Sequence, residues 1–287
     1  MSWIRRLLGN LGMSPDGDLG AQPPFPAGPS TSPAAEKAPL GPGGARLAET
    51  LRASGIDPAT LEVLFPRGEG SVHVLRVHGS RAVDLWRGLR GAIEKTGCWP
   101  VLLGKPELLI DVEKDDARSP GQIIEASRGI DASAWFERRV EKEPDVYEVE
   151  EASWPWKVAR SKAFQTPYDV LGGKPLPEVL VALVPTRLSW EVPAHLKYGG
   201  WNECPGAEEH VALLKRWHDL HGADVACMAD DVVEMEVARP PADREAALKL
   251  AREHFIYCSD IVHQGTESLE RLAATLLGSR VWYFWWD

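Results

Sequence analysis

The sequence lacks long apolar runs and the common signatures of catalysis and nucleotide binding. No stretch approaches the roughly 18 apolar residues of a transmembrane helix, so we expect no membrane span. Glycine-rich phosphate-binding loops, the Gly-x-Ser-x-Gly turn and the His-Glu-x-x-His zinc motif are also missing. These absences exclude the commonest enzyme machineries but leave an enzyme of another kind open.

Cysteine is scarce and widely spaced. The four cysteines are Cys98, Cys204, Cys227 and Cys258. No Cys-x-x-Cys pair occurs, so a short disulfide framework is excluded and a reducing cytoplasm is favoured. Residues 1–12 contain an apolar run that is too short for a secretory signal. We therefore expect a cytoplasmic protein without a cofactor.

Acidic residues outnumber basic ones, 42 to 32. From residue 201 onward the chain carries 8 basic and 16 acidic side chains. Such a surface repels phosphate backbones and anionic lipids, which argues against nucleic acid and membranes as partners. A protein partner with a basic surface fits better, although acidity also serves solubility alone. The oligomeric state stays open.

The 287 residues have room for about two domains. Residues 1–44 combine a short N-terminal segment with a Pro- and Gly-rich stretch, which we interpret as a disordered linker. Residues 45–177 form a predicted N-terminal α/β region, and residues 178–287 a predicted C-terminal domain. The two tryptophans of a Trp-Pro-Trp segment, Trp154 and Trp156, lie in a predicted loop and could be buried or bind.

Hydrophobic periodicity predicts a β-α-β unit in the N-terminal region. Val72–Val77 and Trp99–Leu103 are the predicted strands, and residues 82–95 the helix between them. Two strands joined in this way are expected to lie parallel in one sheet.

The C-terminal region shows the sharper pattern. The predicted strands are Val179–Val184, Val225–Met228, Val232–Val237 and residues 281–286, and the predicted helices are residues 205–221 and two that begin after the N-caps Asp243 and Thr266. The whole is predicted to be an α/β (α+β) protein: a mixed sheet with helices packed on it, its C-terminal part a split β-α-β-like sandwich. The last strand is aromatic on both faces, so either the N-terminal region or another chain must cover the second face, and we favour the former.

Several separated motifs of the C-terminal region occur together. They are Tyr198-Gly199-Gly200-Trp201-Asn202-Glu203-Cys204-Pro205, the helix from Glu209 to His218, Ala238-Arg239-Pro240-Pro241, Tyr257-Cys258-Ser259-Asp260-Ile261-Val262 and Trp282-Tyr283-Phe284-Trp285-Trp286-Asp287. Over about 110 residues these motifs resemble a bacterial family known as domain of unknown function 4253, with its Asn-x-Cys-Pro and Tyr-Cys-x-Asp-x-Val patterns. The resemblance implies a family and no reaction.

Loop residues are the first candidates for a site. The candidate binding residues are Asn202, Glu203, His210, Trp217, Asp260, His263, Gln264 and Asp287. Asp260 and His263 could pair as carboxylate and imidazole for general base work. The competing interpretation is that Asn202 and Asp260 cap helices and close turns. Asp287, as the last residue, could present two negative charges to a basic ligand.

The sequence also suggests a metal site and a cysteine nucleophile as alternatives. His218 and His221 are one helical turn apart and could share a metal ion, but surface histidine pairs are commoner than metal sites, so we predict none. Cys204 or Cys258 could be a nucleophile with His210 or His254. Only the helix start beyond Cys204 would lower a thiol pKa, so this is not the leading interpretation.

We therefore expect a non-catalytic protein-binding module of the immunity or regulatory kind, supported by acidity, abundant tryptophan and the lack of a complete catalytic constellation. The alternative is a small-molecule hydrolase with its site between the two regions. Its predicted residues are Asn202, His210, Asp260 and His263.

Overall fold

The structure, a computed structural model, describes residues 44–65, 71–106, 116–158, 161–169 and 172–287. The predicted N-terminal segment and nearly all of the predicted linker, residues 1–43, lie outside the described residues.

Within the described residues, seven strands form one mixed sheet. The strands are β1 (Glu62–Phe65), β2 (Val72–Val77), β3 (Trp99–Gly104), β4 (Val179–Val184), β5 (Ala223–Met228), β6 (Val232–Val237) and β7 (Val281–Trp285). The helices are α1 (Gly44–Ala53), α2 (Gly79–Arg90), α3 (Ile93–Thr96), α4 (Pro120–Ser127), α5 (Ala132–Lys142), α6 (Pro144–Tyr147), α7 (Val192–Leu196), α8 (Ala207–His221), α9 (Arg244–Tyr257) and α10 (Leu269–Leu276), with 3-10 turns at Pro58–Thr60 and Ser189–Glu191 and a π-helix at Ile261–Thr266. The predicted mixed α/β fold is confirmed.

The strand order across the sheet is β1-β2-β4-β3-β5-β6-β7. Strands β2 and β3 both run antiparallel to β4, so they are parallel to each other, as the β-α-β pattern predicts. They are not neighbours, however, because β4 lies between them. A continuous apolar strand suits this position, since its neighbours take up its hydrogen bonds on both edges and its side chains are buried on both faces.

The N-terminal and C-terminal regions therefore share a sheet. Strand β3 pairs in parallel with β5, where Leu102 lies opposite Cys227. Strands β4 and β5 both belong to the predicted C-terminal domain, yet β3 of the N-terminal region separates them. Strands β5, β6 and β7 follow as antiparallel neighbours.

Helices cover both faces of the sheet. One face, which we call the aromatic face, packs Phe284 of β7 against Trp217 of α8 and Phe255 of α9. On the opposite face, Leu75 and Val181 of the sheet belong to one buried cluster with Trp86 of α2. The N-terminal helices α1 and α2 thus lie on the side opposite to α8, α9 and α10.

On the face of the sheet opposite to the aromatic face, β6 carries a buried carboxylate. Glu234 is fully buried, and it accepts hydrogen bonds from the backbone amides of Gln165 (2.7 Å) and Thr166 (2.9 Å) and from the Thr166 hydroxyl (2.7 Å). Burial raises the pKa of the Glu234 carboxyl. A loop of the N-terminal region thus covers this face, in keeping with the intramolecular alternative.

We predict that a protein comprising residues 178–287 alone does not fold cooperatively, because β4 would lose both of its neighbours and β5 would lose β3. A protein comprising residues 44–287 should unfold in one cooperative urea transition, followed by circular dichroism. Equal midpoints and slopes for the two proteins would contradict the dependence on β3.

Candidate functional site

Four of the predicted site residues come together at one end of the sheet. The Asn202 side-chain amide donates to the backbone carbonyl of Asp287 (Nδ2 to O, 2.8 Å). The Asp287 backbone amide in turn donates to Asp260 (N to Oδ2, 3.0 Å), and the Gln264 amide donates to the other oxygen of Asp260 (Nε2 to Oδ1, 3.0 Å). We call these four residues the surface cluster.

Unusual backbone conformations position the surface cluster. Asn202 has φ of 44°, in the left-handed region that asparagine tolerates better than most residues. Asp260 precedes the π-helix Ile261–Thr266, which carries His263 and Gln264. Such π-helical turns are rare overall, and those that occur often lie at functional sites. The prediction of Thr266 as a helix cap is wrong, because Ser268 caps α10 by accepting from the Arg271 amide.

A buried relay of three polar side chains lies beneath the loop that carries Asn202. The imidazole of His210, fully buried on α8, has Nε2 at 3.4 Å from the Cys204 sulfur and Nδ1 at 2.7 Å from the Tyr257 hydroxyl. Cys204 is 5% exposed. We call Cys204, His210 and Tyr257 the thiol relay. Sequence reasoning considered Cys204 with His210 but had no signal for Tyr257, which reaches them from α9.

Gly199 allows the loop to approach the imidazole. Its φ is 104°, and a Cβ at this position would lie 2.8 Å from His210 Nε2 and 1.9 Å from the Pro205 carbonyl oxygen. Only glycine fits such a contact. The backbone amide of Gly200 also donates to the Pro205 carbonyl (2.9 Å), which closes the loop at the start of α8.

Aromatic rings enclose the thiol relay. Trp286 lies 5.7 Å from the His210 ring and 5.2 Å from the Tyr257 ring between centroids, and Tyr198 lies 5.3 Å from His210. Burial raises the pKa of the Tyr257 and Tyr198 phenols well above the usual value, so both stay protonated near neutral pH.

The other predicted site residues make their polar contacts outside these two groups. Glu203 pairs with Arg139 of α5 (Oε2 to Nη2, 3.1 Å). The His263 imidazole donates to the Val146 carbonyl (Nε2 to O, 2.7 Å), so the predicted Asp260–His263 pair is not formed among the described contacts. Trp217 is fully buried in the aromatic face and donates to Glu253 (Nε1 to Oε2, 2.9 Å), which makes it part of the core.

A third polar group, which sequence reasoning missed, joins the two regions. Asp224 of β5 accepts hydrogen bonds from Ser189 (Oγ, 2.8 Å) and His218 (Nδ1, 2.8 Å) and is ion-paired with Arg90 of α2. Arg90 also pairs with Glu236 at the edge of an open pocket of about 400 Å³. Because Arg90 is already ion-paired with both carboxylates, these contacts serve to hold α2 against β5 and β6.

An exposed tryptophan stands out on the loop after α6. Trp156 is 98% exposed, whereas the neighbouring Trp154 is half-buried beneath the Arg244 guanidinium, 4.7 Å from its ring. Before it, residues 141–151 form an acidic segment. Its acidic members are Glu141, Glu143, Asp145, Glu148, Glu150 and Glu151. Composition and spacing alone could not tell which of the two tryptophans faces solvent.

Among the described residues, no group of three or more His, Cys, Asp or Glu side chains is arranged to hold a metal ion. In the same residues, each helix is too short or too polar to cross a bilayer.

The fold and these sites define a mixed α/β protein whose C-terminal loops converge on a surface cluster above a buried thiol. The family model described as a domain of unknown function (DUF4253) matches residues 180–287, which confirms the resemblance over the C-terminal part. The matched range holds β4 to β7 but not β3. No curated protein and no solved structure matches the chain.

We predict that Asp260→Ala loosens the end of β7, because the Asp287 amide loses its acceptor and Gln264 loses its partner. Hydrogen exchange in the peptide covering residues 281–287 should become faster, and the free energy of unfolding should fall by about 1 kcal/mol. Asp219→Ala, which removes only an exposed pair with Lys215, is the matched control and should change neither by a comparable amount. Unchanged exchange in the Asp260 variant would show that the surface cluster does not hold the strand.

Proposed function

We propose that this chain is a non-catalytic, cytoplasmic protein-binding module of the immunity or regulatory kind. Its docking surface consists of the acidic segment, residues 141–151, and Trp156. The partner is a protein that presents a cationic surface.

The exposure of Trp156 is the observation that carries the proposal. An indole in water loses the stabilisation that burial would supply, and tryptophan is among the residues that most often dominate binding interfaces. Arg244 holds Trp154, two residues before it, so the exposed ring projects from an anchored part of the loop. A fixed aromatic anchor costs less ordering entropy on binding than a mobile one.

The charge beside Trp156 gives the partner's chemistry. Five of the six acidic side chains in the acidic segment are exposed, and the half-buried sixth, Glu143, pairs with Lys142. Within the described residues, the exposed five have no ion-pair partner. An uncompensated acidic surface steers cationic proteins toward it and repels anionic ones.

The alternative of a hydrolase built from Asn202, His210, Asp260 and His263 receives less support. Asn202 and Asp260 share Asp287, whereas His210 is buried in the thiol relay and His263 hydrogen-bonds with Val146. General acid and base groups must lie within hydrogen-bond reach of the same reacting atoms.

We predict that Trp156→Ala weakens binding of the natural partner by at least about tenfold, as the loss of an aromatic hot spot does. A photo-crosslinking residue in place of the neighbouring exposed Lys157, which keeps Trp156 intact, would identify the partner in cells of the source organism. Binding of the purified partner would then be measured by calorimetry. Leu220→Ala, which removes another exposed apolar side chain from α8, is the matched control and should bind as the unmodified protein does.

Charge reversal tests the second half of the proposal. The triple variant Glu148→Lys, Glu150→Lys, Glu151→Lys should weaken binding more at low salt than at high salt, because salt screens exposed charges. If no protein crosslinks at position 157, or if the purified partner binds both variants as tightly as the unmodified protein, the docking surface is wrong.

A further inference from the structure

The thiol relay is a chemical site that the proposed docking surface does not use. Its three side chains are held by hydrogen bonds in one line, from the Cys204 sulfur through both nitrogens of His210 to the Tyr257 oxygen. A nucleophile beside a base that a third group orients is the arrangement by which proteins activate thiols and hydroxyls.

Cys204 differs from the other three cysteines of the chain. Burial raises the pKa of Cys258, whose thiol donates to the Trp285 carbonyl (2.8 Å), and of Cys227, which lies beside the Glu234 carboxylate. Burial also raises the pKa of Cys98 to about 11. In the described contacts, Cys204 is the cysteine whose sulfur has an imidazole nitrogen at hydrogen-bond distance, a group that can accept the thiol proton.

Tyr257 orients the imidazole of His210 through the hydrogen bond at Nδ1, and Nε2 faces the sulfur. When His210 donates from Nδ1 to the phenol oxygen, Nε2 carries the lone pair and faces the sulfur. The phenol stays neutral because burial raises its pKa, so it holds Nδ1 by a hydrogen bond without placing a negative charge beside the imidazole. Tyr257 is therefore a positioning residue for the base.

Cys204 also lies just before the first turn of α8, which begins at Ala207 and runs for 15 residues. Partial positive charge at the start of a helix stabilises a thiolate. The effect adds to the proton acceptor on the same helix, because His210 is one turn further along.

A cover made of one loop and one aromatic side chain closes the site. It consists of residues 197–203 and Trp286. Lys197, Gly199, Gly200 and Asn202 all have positive φ within this loop, so the cover follows an irregular path rather than a helix or strand. Asn202 and Asp260 hold Asp287 next to Trp286 from both sides. The rings of Tyr198, Tyr257 and Trp286 surround the His210 imidazole beside the sulfur, and such an environment favours a small neutral electrophile over a charged or polymeric one.

We propose that Cys204 is a thiol nucleophile, activated by His210 and positioned by Tyr257, which reacts with small neutral electrophiles when the cover opens. In the reaction the sulfur forms a bond to an electrophilic carbon, and the leaving group departs with the bonding electron pair. The thiol proton passes to Nε2 of His210.

Iodoacetamide is a suitable neutral probe, since it transfers its carbamidomethyl group to sulfur and releases iodide. The folded protein would be treated near pH 7, and peptide mass spectrometry would follow Cys204 and Cys98 in the same sample. We expect Cys204 to react at least about tenfold faster than Cys98, because burial raises the pKa of the Cys98 thiol. The Asp260→Ala variant, in which Asp287 is released, should increase the rate at Cys204 further.

Variants of the relay separate activation from simple exposure. His210→Gln and Tyr257→Phe should each slow alkylation of Cys204 by about tenfold or more while the rate at Cys98 stays the same. His221→Ala, which removes an imidazole at the other end of α8, is the matched control and should leave both rates unchanged. Circular dichroism would confirm folding of each variant, and if His210→Gln does not fold, Tyr257→Phe alone makes the comparison.

Two results would overturn the proposal. The first is a Cys204 that stays as slow as Cys98 in both the unmodified protein and the Asp260→Ala variant. The second is a fast Cys204 whose rate does not change in the folded relay variants. Neither result bears on Trp156, so this test and that of the docking surface fail independently.

Discussion

The pairing of β4 with strands on both of its edges is the constraint on which the rest of the structure depends. Both partners, β2 and β3, come from the N-terminal region, and β3 in turn supplies the parallel neighbour of β5. Backbone amides and carbonyls in the centre of a sheet must be paired, because water does not reach them. Strands β4 and β5 therefore complete their backbone hydrogen bonds with strands that precede the range matched by the family model.

From this sheet the aromatic face follows. Trp217 stacks on Phe284 at 5.6 Å with nearly parallel rings, and α9 packs over both through Tyr257. Because Tyr257 is fixed in this way, its hydroxyl meets His210 at a defined position. The surface cluster lies above, where the end of β7 reaches the loops before α8 and after α9. Ion pairing of Arg90 with Asp224 adds a polar connection between α2 and the sheet.

Local patterns predict most of the elements but not their order in space. The apolar run Val179–Val184 and the hairpin of β5 and β6 agree with the structure to within two residues, because burial dictates their composition. The position of β4 between β2 and β3 depends on contacts between residues far apart in sequence, and hydrophobic periodicity reports only local structure. Asn202, Asp260, Gln264 and Asp287 lie together in the structure, and their role in binding stays a prediction. The direction of His263 was not predictable, because the π-helix changes the rotation per residue, and Tyr257 carries no local sign of its bond to His210.

The position of β4 also has a consequence for biosynthesis. On the ribosome, β2, α2 and β3 emerge well before β4, and proteins are made at about 5–20 residues per second. During that interval the two strands leave a gap with unpaired backbone groups on both sides, a template for pairing with other chains. Slowing translation between β3 and β4 lengthens this exposure, whereas a chaperone bound to the gap shortens it. Yield in cells thus depends on the timing of synthesis as well as on the stability of the finished sheet.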